Sequence, residues 1–593
     1  MIDGRPSIVG DFACWGVSAL FLLGLTVLGV KLYGIQMEDS AEMRLAAQEQ
    51  SVRRVRTAAP RGRILDRNGI VLAGNRPCFS IVCHPEYFQK PGRAAAVKAI
   101  LEAVKEISLA TGLVPTVTGK EIARHLEQEL SVPMTIWDDL DRFSFERFSE
   151  HSRFFPGFSV LEREEREYPN GPLAAHVLGF TGSADVEATE SEGSFYFRQR
   201  EMKGRSGLEY FYDAFLRGVP GVKFLTVDSR CFTVAGETAV EAVRGVDLEL
   251  AMNARIQSVV ERELRGERGA CVVLDPRDGG ILAAASSPAY DLSLLVPRLT
   301  KEMNAAYVGN RDYRNRFCGE TYAPGSTFKP VTALAALAAG VSPESVTECT
   351  GVYRLGEWSL RCSRRWGHGP ENMVTALRDS CNPYFCSLGN DIGTNALIRA
   401  AKAFGLGSVT GVDFPGEAAG VVPDAAWKMR VYGEPWYPGD LPQMSIGQGM
   451  LTVTPLQMAL VAGAIGTGRL VKPHFKKTVR ESTDRGRVPF TAAQLATVRR
   501  GMEAVVNDKQ GSGVKGGEGV PVKVAGKTGT AEVGRGERRR KNTWFIAYAP
   551  AENPEVAIAL VIEDGVSGGG TSAPKVANIL KETFRKVKSK GER

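Results

Sequence analysis

Three short clusters of nucleophilic, basic and amide side chains follow one another along this chain: Ser326-Thr-Phe-Lys329, Ser380-Cys-Asn382 and Lys527-Thr-Gly-Thr530. A serine is a poor nucleophile until a base removes its proton. Residues i and i+3 share a helix face, so Lys329 can reach the Ser326 hydroxyl. A lysine serves as that base once desolvation and nearby cations lower its pKa. Tyr322-Ala-Pro-Gly325 reads as a turn, after which Ser326 opens an Ala- and Leu-rich helix running to Gly340. Pro330 is tolerated because it falls in the first helical turn. The helix N-terminus offers backbone N–H groups and positive dipole to a developing oxyanion.

The other two clusters supply what such a nucleophile needs. Ser380 can relay a proton between Lys329 and a leaving amine, and Asn382 can orient Lys329 and hold a substrate amide. Lys527 with the hydroxyls of Thr528 and Thr530 suits a terminal carboxylate. Gly529, with no side chain, lets a peptide approach a strand edge and pair with it. The Thr530 N–H is the second oxyanion donor. Each cluster alone is commonplace; the ordered set predicts acyl transfer through a serine ester.

A second constellation is Cys349, Cys362, His368 and Cys381, drawn from ten cysteines in the chain. Cys3His is a structural zinc set, although this spacing is not that of a finger. The same residues admit a Cys349–Cys362 disulfide, permitted outside the cytoplasm, or free buried thiols. Cys14 and Cys386 read as small buried hydrophobes. There is no phosphate loop, dinucleotide fingerprint or nucleic-acid motif, so neither an organic cofactor nor a nucleic-acid partner is expected.

The elements that must position these residues are legible in outline. The 593 residues are 43% hydrophobic and 24% charged with net charge +7, ordinary globular composition with room for several cores. Phe12–Val30 is uncharged and, at 1.5 Å per residue, just long enough to span a hydrocarbon core. It reads as an uncleaved signal anchor within residues 1–36. Ala41–Arg56 looks like a polar helical stalk. Asn68-Gly69 marks a hairpin turn. Arg93–Leu109 and Lys120–Leu130 look like amphipathic helices, and His176 like a satisfied core histidine. Val246–Leu264 reads as a strand running into a helix. Ala270–Asp275 and Ile281–Ala285 flank a turn as a hairpin with one face buried. Val522–Ala525, Thr543–Tyr548 and Val556–Ile562 read as antiparallel strands, with a loose Gly- and Arg-rich loop at Glu532–Asn542 and an amphipathic helix at Ala573–Lys586. The basic tail Lys581–Lys590 suits anionic lipid or wall polymer, or is simply solvated.

With these motifs the chain resembles the class B, monofunctional penicillin-binding proteins. Arg61-Gly-Arg-Ile-Leu-Asp-Arg-Asn-Gly69 and Gly204-Arg-Ser-Gly-Leu-Glu209 are similar to that family's N-terminal motifs. Asn315-Arg316, Tyr322–Lys329, Ser445-Ile-Gly-Gln-Gly449 and Thr454-Pro-Leu-Gln457 are similar to its transpeptidase motifs. The resemblance implies an α+β architecture: an anchor, a non-catalytic pedestal at 37–245, and a transpeptidase domain of the serine β-lactamase fold at 246–593 with a central antiparallel sheet. It implies a peptidoglycan D,D-transpeptidase on the outer face of the inner membrane, acting on stem peptides and lipid-linked precursor polymer and acylated by β-lactams. A membrane glycosyltransferase and cell-shape or division proteins are the implied partners. Cys349-Thr-Gly351, Cys362, Gly367-His-Gly369 and Trp436-Tyr-Pro-Gly-Asp440 resemble the elongation branch, penicillin-binding protein 2. Asn382 departs from the Ser-x-Asp found in many of its members, which keeps the division branch as an alternative. Some elongation-type enzymes carry a zinc site in this region, built partly from Asp. The rivals from other classes are a non-catalytic β-lactam sensor or wall scaffold, and a β-lactamase, for which no water-activating Glu motif is recognisable.

Overall fold

The computed structural model describes residues 8–34, 52–88, 90–115, 117–128, 132–184, 197–198, 201–227, 233–295, 305, 307, 309, 313–477, 483–534 and 540–585. Ile8–Tyr33 is one helix, a few residues longer at each end than the apolar run. Its Trp15–Tyr33 stretch is not buried against the rest of the chain and is long and apolar enough to cross a membrane. The expected stalk is not a helix where it is described. Residues 41–51 lie outside the described set, and Val52–Thr57 is a strand paired antiparallel with Gly221–Val227. Its β-branched Val and Thr residues favour that pairing over the helical reading.

The N-terminal half is built on sheets. Ile64–Leu65 and Val71–Cys83 form the expected hairpin, with Gly69 at φ 84° and Asp66 Oδ1 accepting the Asn68 and Ile70 N–H groups. Val71–Cys83 then pairs with Met134–Leu140 and Phe158–Glu167. The helices Arg93–Thr111 and Gly119–Gln128 bury Ile100, Val104, Ile107 and Ile122 against Ile81 and Trp137. The two N-terminal motifs meet through buried charge. Arg61 donates to Glu209 at 2.7 Å and to Asp213 at 2.8 Å, and Arg166 reaches the other Glu209 oxygen at 2.6 Å. Glu209 is fully buried, so either arginine alone would leave it under-compensated. His176 is buried with its ring edge-on to Tyr290, a core histidine as expected.

The C-terminal half is one five-stranded antiparallel sheet. Its strands are β1 (Gly269–Leu274), β2 (Ile281–Ser287), β3 (Ala525–Val533), β4 (Arg540–Ala549) and β5 (Val556–Ile562), in spatial order β2-β1-β5-β4-β3. The β1–β2 hairpin is buried on both faces, not one. Helices α1 (Ala254–Leu264) and α8 (Ala573–Thr583) cover one face. The other face carries α2 (Lys329–Ala338), α3 (Met373–Arg378), α4 (Asn382–Ala403), α5 (Asp440–Ser445), α6 (Pro455–Thr467) and α7 (Ala492–Asn507), all of which contribute to one core with it. One other expectation changes. β3 begins at Ala525 and so contains Lys527–Thr530 where the sequence placed a strand before them. This follows from the β3–β4 ladder, in which Lys527 faces Ile546 and Val533 faces Arg540, overriding the low strand propensity of glycine. Of the Gly- and Arg-rich loop, residues 535–539 lie outside the described set, and its flanks close the ladder at Val533 and Arg540.

The halves share structure. Leu248–Glu249 pairs parallel with Ile64–Leu65, and one hydrophobic core runs from Ile64, Leu178 and Leu208 to Leu334 and Tyr548. The Tyr212 hydroxyl donates to Asp413 at 2.6 Å across the same boundary.

Candidate active site

Gly325–Phe328 is a single 3-10 turn that runs directly into α2, so Ser326 sits on the first turn as its sequence suggests. Gly325 adopts φ 55° and is pressed between two backbones. A Cβ there would lie 3.0 Å from the Thr530 carbonyl oxygen, and Gly325 N–H donates to the Gly447 carbonyl. The Ser445–Gly449 motif is thus a brace behind the nucleophile. The Thr332 hydroxyl donates to the Ser445 carbonyl, and Thr454 with Gln457 forms the capping box that starts α6. These motifs hold the site and do not line its chemistry.

Lys329 is fully buried. Its Nζ donates to the Ser380 carbonyl at 2.6 Å and to Asn382 Oδ1 at 2.7 Å, with Ser380 Oγ at 3.4 Å. Ser326 Oγ has no hydrogen-bond partner among the described residues, so the lysine is held for the serine by its neighbours and not by the serine itself. Catalytic hydrogen bonds often tighten only when substrate is bound. Burial lowers Lys329 from 10.5 to about 8, so a far larger fraction of it is neutral near physiological pH than of a free lysine.

Ser380 is one of the few non-glycine residues in the left-handed region, at φ 55°. Such strain, of order 1–3 kcal/mol, persists where surrounding structure enforces it. Here it turns the Ser380 carbonyl to Lys329 while its hydroxyl accepts from Lys527 Nζ at 2.9 Å. Lys527 is also fully buried, and its pKa falls well below the ordinary value, first through burial and then through the charge of Lys329. The two amines and one hydroxyl form a proton-sharing line from the first cluster through the second to the third.

β3 is an edge strand, so its outer backbone groups are open to an extended peptide. The structure gives Gly529 a packing role as well. A Cβ at this position would meet the Pro324 oxygen and Thr327 Cγ2, both at 2.9 Å. Its missing side chain lets the strand pack on the nucleophile's turn, which is what sets Thr530 against Gly325. The Thr530 hydroxyl accepts the Gly568 N–H at 3.2 Å, so Thr528 is the hydroxyl beside Lys527. Ser512, which the motifs alone do not single out, lies 3.0 Å from the Thr528 hydroxyl. Its one signal is the Gly511-Ser-Gly513 loop, whose glycines press on the Val505 carbonyl and the Phe545 ring.

Cys349, Cys362, His368 and Cys381 do come together, with all four ligand atoms within 4.8 Å of one another. His368 Nδ1 lies 3.6 Å from Cys349 Sγ and 3.5 Å from Cys362 Sγ. Cys349, Cys362 and Cys381 are all free thiols, so the Cys349–Cys362 pair is not disulfide-bonded. The donor set fits a tetrahedral ion at Zn–S near 2.3 Å and Zn–N near 2.0 Å, which places ligand atoms roughly 3.5–4 Å apart. The cluster adjoins the active site, since Cys381 lies between Ser380 and Asn382, and Asn382 Nδ2 donates to the Arg361 carbonyl, one residue before Cys362.

The chain is similar to known proteins over most of its length. The family model described as the penicillin binding protein transpeptidase domain matches residues 269–581, and the penicillin-binding protein dimerisation domain matches 56–250. The peptidoglycan D,D-transpeptidase MrdA of Escherichia coli K12 is 31% identical over 605 residues, covering 95% of this chain and 92% of that protein. MrdA of Acinetobacter baumannii is also 31% identical, covering 93% and 84%. Penicillin-binding protein PBP2 of Helicobacter pylori, solved in complex with MreC, superposes with a TM-score of 0.78 at 27% identity, covering 90% of this chain and 98% of that one. PBP2 of Pseudomonas aeruginosa, in complex with WCK 5153, gives 0.66 at 27% identity, covering 90% and 97%.

Proposed function

Because the chain belongs to the class B penicillin-binding proteins, with a dimerisation domain ahead of a transpeptidase domain, we propose how its residues divide the work of a peptidoglycan D,D-transpeptidase. The enzyme is of the elongation type, the kind to which MrdA and PBP2 belong. The observation that carries the residue assignment is the Lys329–Ser380–Lys527 line beside Ser326.

Neutral Lys329 takes the Ser326 proton as Oγ attacks the penultimate D-Ala carbonyl of a stem peptide. The oxyanion is held by the N–H groups of Ser326 and Thr530. Lys527, Thr528 and the Ser512 hydroxyl behind Thr528 receive the terminal carboxylate. As the intermediate collapses, Ser380 Oγ passes a proton from Lys329 to the departing D-Ala amine. An amine of a second stem then attacks the Ser326 ester, its proton returns by the same line to Ser326, and the cross-link is released. Asn382 orients Lys329 and the substrate amide.

The Cys349, Cys362, His368 and Cys381 set would hold a structural zinc ion, with no open position for water and no part in the proton path. We take residues 37–245 as pedestal and 246–593 as catalytic domain, with the N-terminal helix spanning the inner membrane and the catalytic domain outside the cytoplasm. MreC bound to the H. pylori relative makes a cell-shape protein a fitting partner. A further similar structure is that of a peptidoglycan synthase complex that coordinates polymerisation and crosslinking, which makes a glycosyltransferase another.

The test is incubation with a labelled stem pentapeptide and an amine acceptor. Wild type should form cross-linked product and Ser326→Ala none, while keeping its fold by circular dichroism. Penicillin should map by mass to Ser326. An adduct on another serine, or acylation without any transfer, would overturn the assignment.

A further inference from the structure

One open cleft lies a hairpin's length from Asn382 and shares no residue with the acyl-transfer machinery. It encloses about 680 Å³ between the hairpin Val352–Leu355/Trp358–Arg361 and the segment leading into α5. Both walls are tied to the active site. The hairpin ends at Arg361, whose carbonyl accepts from Asn382. The opposite wall passes through α5 to Gly447, whose carbonyl holds the Gly325 N–H. The cleft thus sits at the tip of a hairpin whose other end meets Asn382, and at the start of the short helix whose far end leads to Gly447.

Its chemistry is specific. Trp358 and Tyr437 face it, and Tyr437 is 48% exposed. Each ring is fixed from behind. The Gly439 backbone packs on the Trp358 indole, where an added Cβ would lie 3.2 Å from three ring atoms, and Lys428 Nζ sits 4.0 Å from the Tyr437 centroid. Three polar groups on the lining, the Glu357 carboxylate, the Trp358 Nε1–H and the Gln443 side-chain amide, have no hydrogen-bond partner among the described residues. Asp440, by contrast, is engaged by Lys428 Nζ and the Tyr437 N–H, both at 2.7 Å. Among the described residues no lysine or arginine lines the cleft, so an anionic ligand has no counter-charge there.

Rigid aromatic faces, with free acceptors and donors at their edges and no cation, match a neutral ring that is apolar on its flat side and hydroxylated at its rim. From this we propose that the cleft is a saccharide subsite, which takes an N-acetylated amino sugar of the glycan that carries the stem peptide. Trp358 and Tyr437 pack on the sugar faces, while Glu357 and Gln443 bond its hydroxyl and acetamido groups. This rests on the transpeptidase reading and deepens it, because the enzyme would recognise its donor by the glycan as well as by the D-Ala terminus.

The experiment compares one donor pentapeptide free and linked to its disaccharide, with a fixed amine acceptor, in wild type, W358A, Y437A and E357Q. Penicillin acylation serves as the control for an intact catalytic centre. Wild type should show the higher kcat/KM on the glycan-linked donor, expressed in KM. The aromatic variants should lose about three- to tenfold of that preference, the scale of one aromatic contact, with free-peptide turnover and penicillin acylation unchanged. Equal turnover of both donors by wild type would overturn the proposal. So would a parallel loss on both donors in the variants, which would assign the cleft to the peptide. Saturation-transfer NMR with a peptide-free N-acetylglucosamine oligomer gives a separate reading: signal with wild type, none with W358A. If wild type turned over neither donor, the transpeptidase reading would fail and this binding measurement alone would decide the subsite.

Discussion

Lys527 Nζ lies 2.9 Å from Ser380 Oγ, and Lys329 Nζ lies 3.4 Å from that same oxygen. One hydroxyl therefore bridges two buried amines whose positive charges repel. The pair behaves as a coupled unit, in which a proton on one lysine disfavours a proton on the other. An incoming substrate carboxylate relieves that conflict by stabilising charge on Lys527 and leaving Lys329 neutral as the base.

Lys527→Ala should weaken acylation by carboxylate-bearing peptides and penicillins, through loss of a charge-assisted hydrogen bond of on the order of 1.5–3 kcal/mol. A carboxylate-free acyl donor should be affected much less. Second-order acylation rates measured for both donor types decide it, and equal losses would remove Lys527 from carboxylate recognition.

Acylation should rise with pH. Lys329 acts as base only when neutral, and burial sets its pKa at about 8 against 10.5 for a free lysine. The rate should climb through that value and level off above it. The same depressed pKa has a stability consequence. Between about 8 and 10.5 the unfolded chain binds more protons at this position than the folded one, so this group's contribution to stability rises with pH across that window. Penicillin acylation rates from pH 6 to 10 check the first statement, and a flat profile would exclude Lys329 as the base.

Gly529→Ala should damage the site without removing any polar group from it. The new methyl would sit 2.9 Å from the Pro324 oxygen and 3.1 Å from Trp544 Cβ. Overpacking of this kind costs typically about 1–3 kcal/mol. Relief would move β3 off the Ser326 turn, so thermal stability and acylation should fall together. An active, fully stable Gly529→Ala variant would mean that the strand and the turn are not locked.

Purified protein should carry about one zinc per chain, with Zn–S distances near 2.3 Å by X-ray absorption. His368→Ala should lower zinc content, melting temperature and acylation, because Cys381 separates Ser380 from Asn382. An unchanged melting temperature after chelation would reject the site.

The catalytic half should be reached by protease added outside the inner membrane of spheroplasts, while residues before the Ile8–Tyr33 helix stay protected. Digestion only after lysis would put the enzyme on the wrong side for wall synthesis.

The three clusters that meet at the candidate site were legible in the sequence because each is compact and chemically distinctive, and the hairpin and central strands announced themselves by apolar runs between turns. What was not legible depended on partners distant in sequence. Val52–Thr57 reads as polar stalk until Gly221–Val227 is there to pair with it. That Gly529 also packs on Pro324 and Thr327 shows only once the strand and the turn are brought together. Ser512 has only its two flanking glycines to mark it, since its meaning comes from lying against Thr528. The cysteine–histidine set was visible as residue types, but its closure into one cluster needed the fold.

The Leu248–Glu249 strand and the core running from Ile64 to Tyr548 give the molecule a single mechanical character. A pedestal joined by a flexible linker would let the catalytic half swing freely on its anchor. With side chains interleaved across the boundary, a torque applied to the pedestal by a neighbour in the membrane turns the Ser326 cleft through the same angle. The pedestal then acts as a handle by which the site is turned.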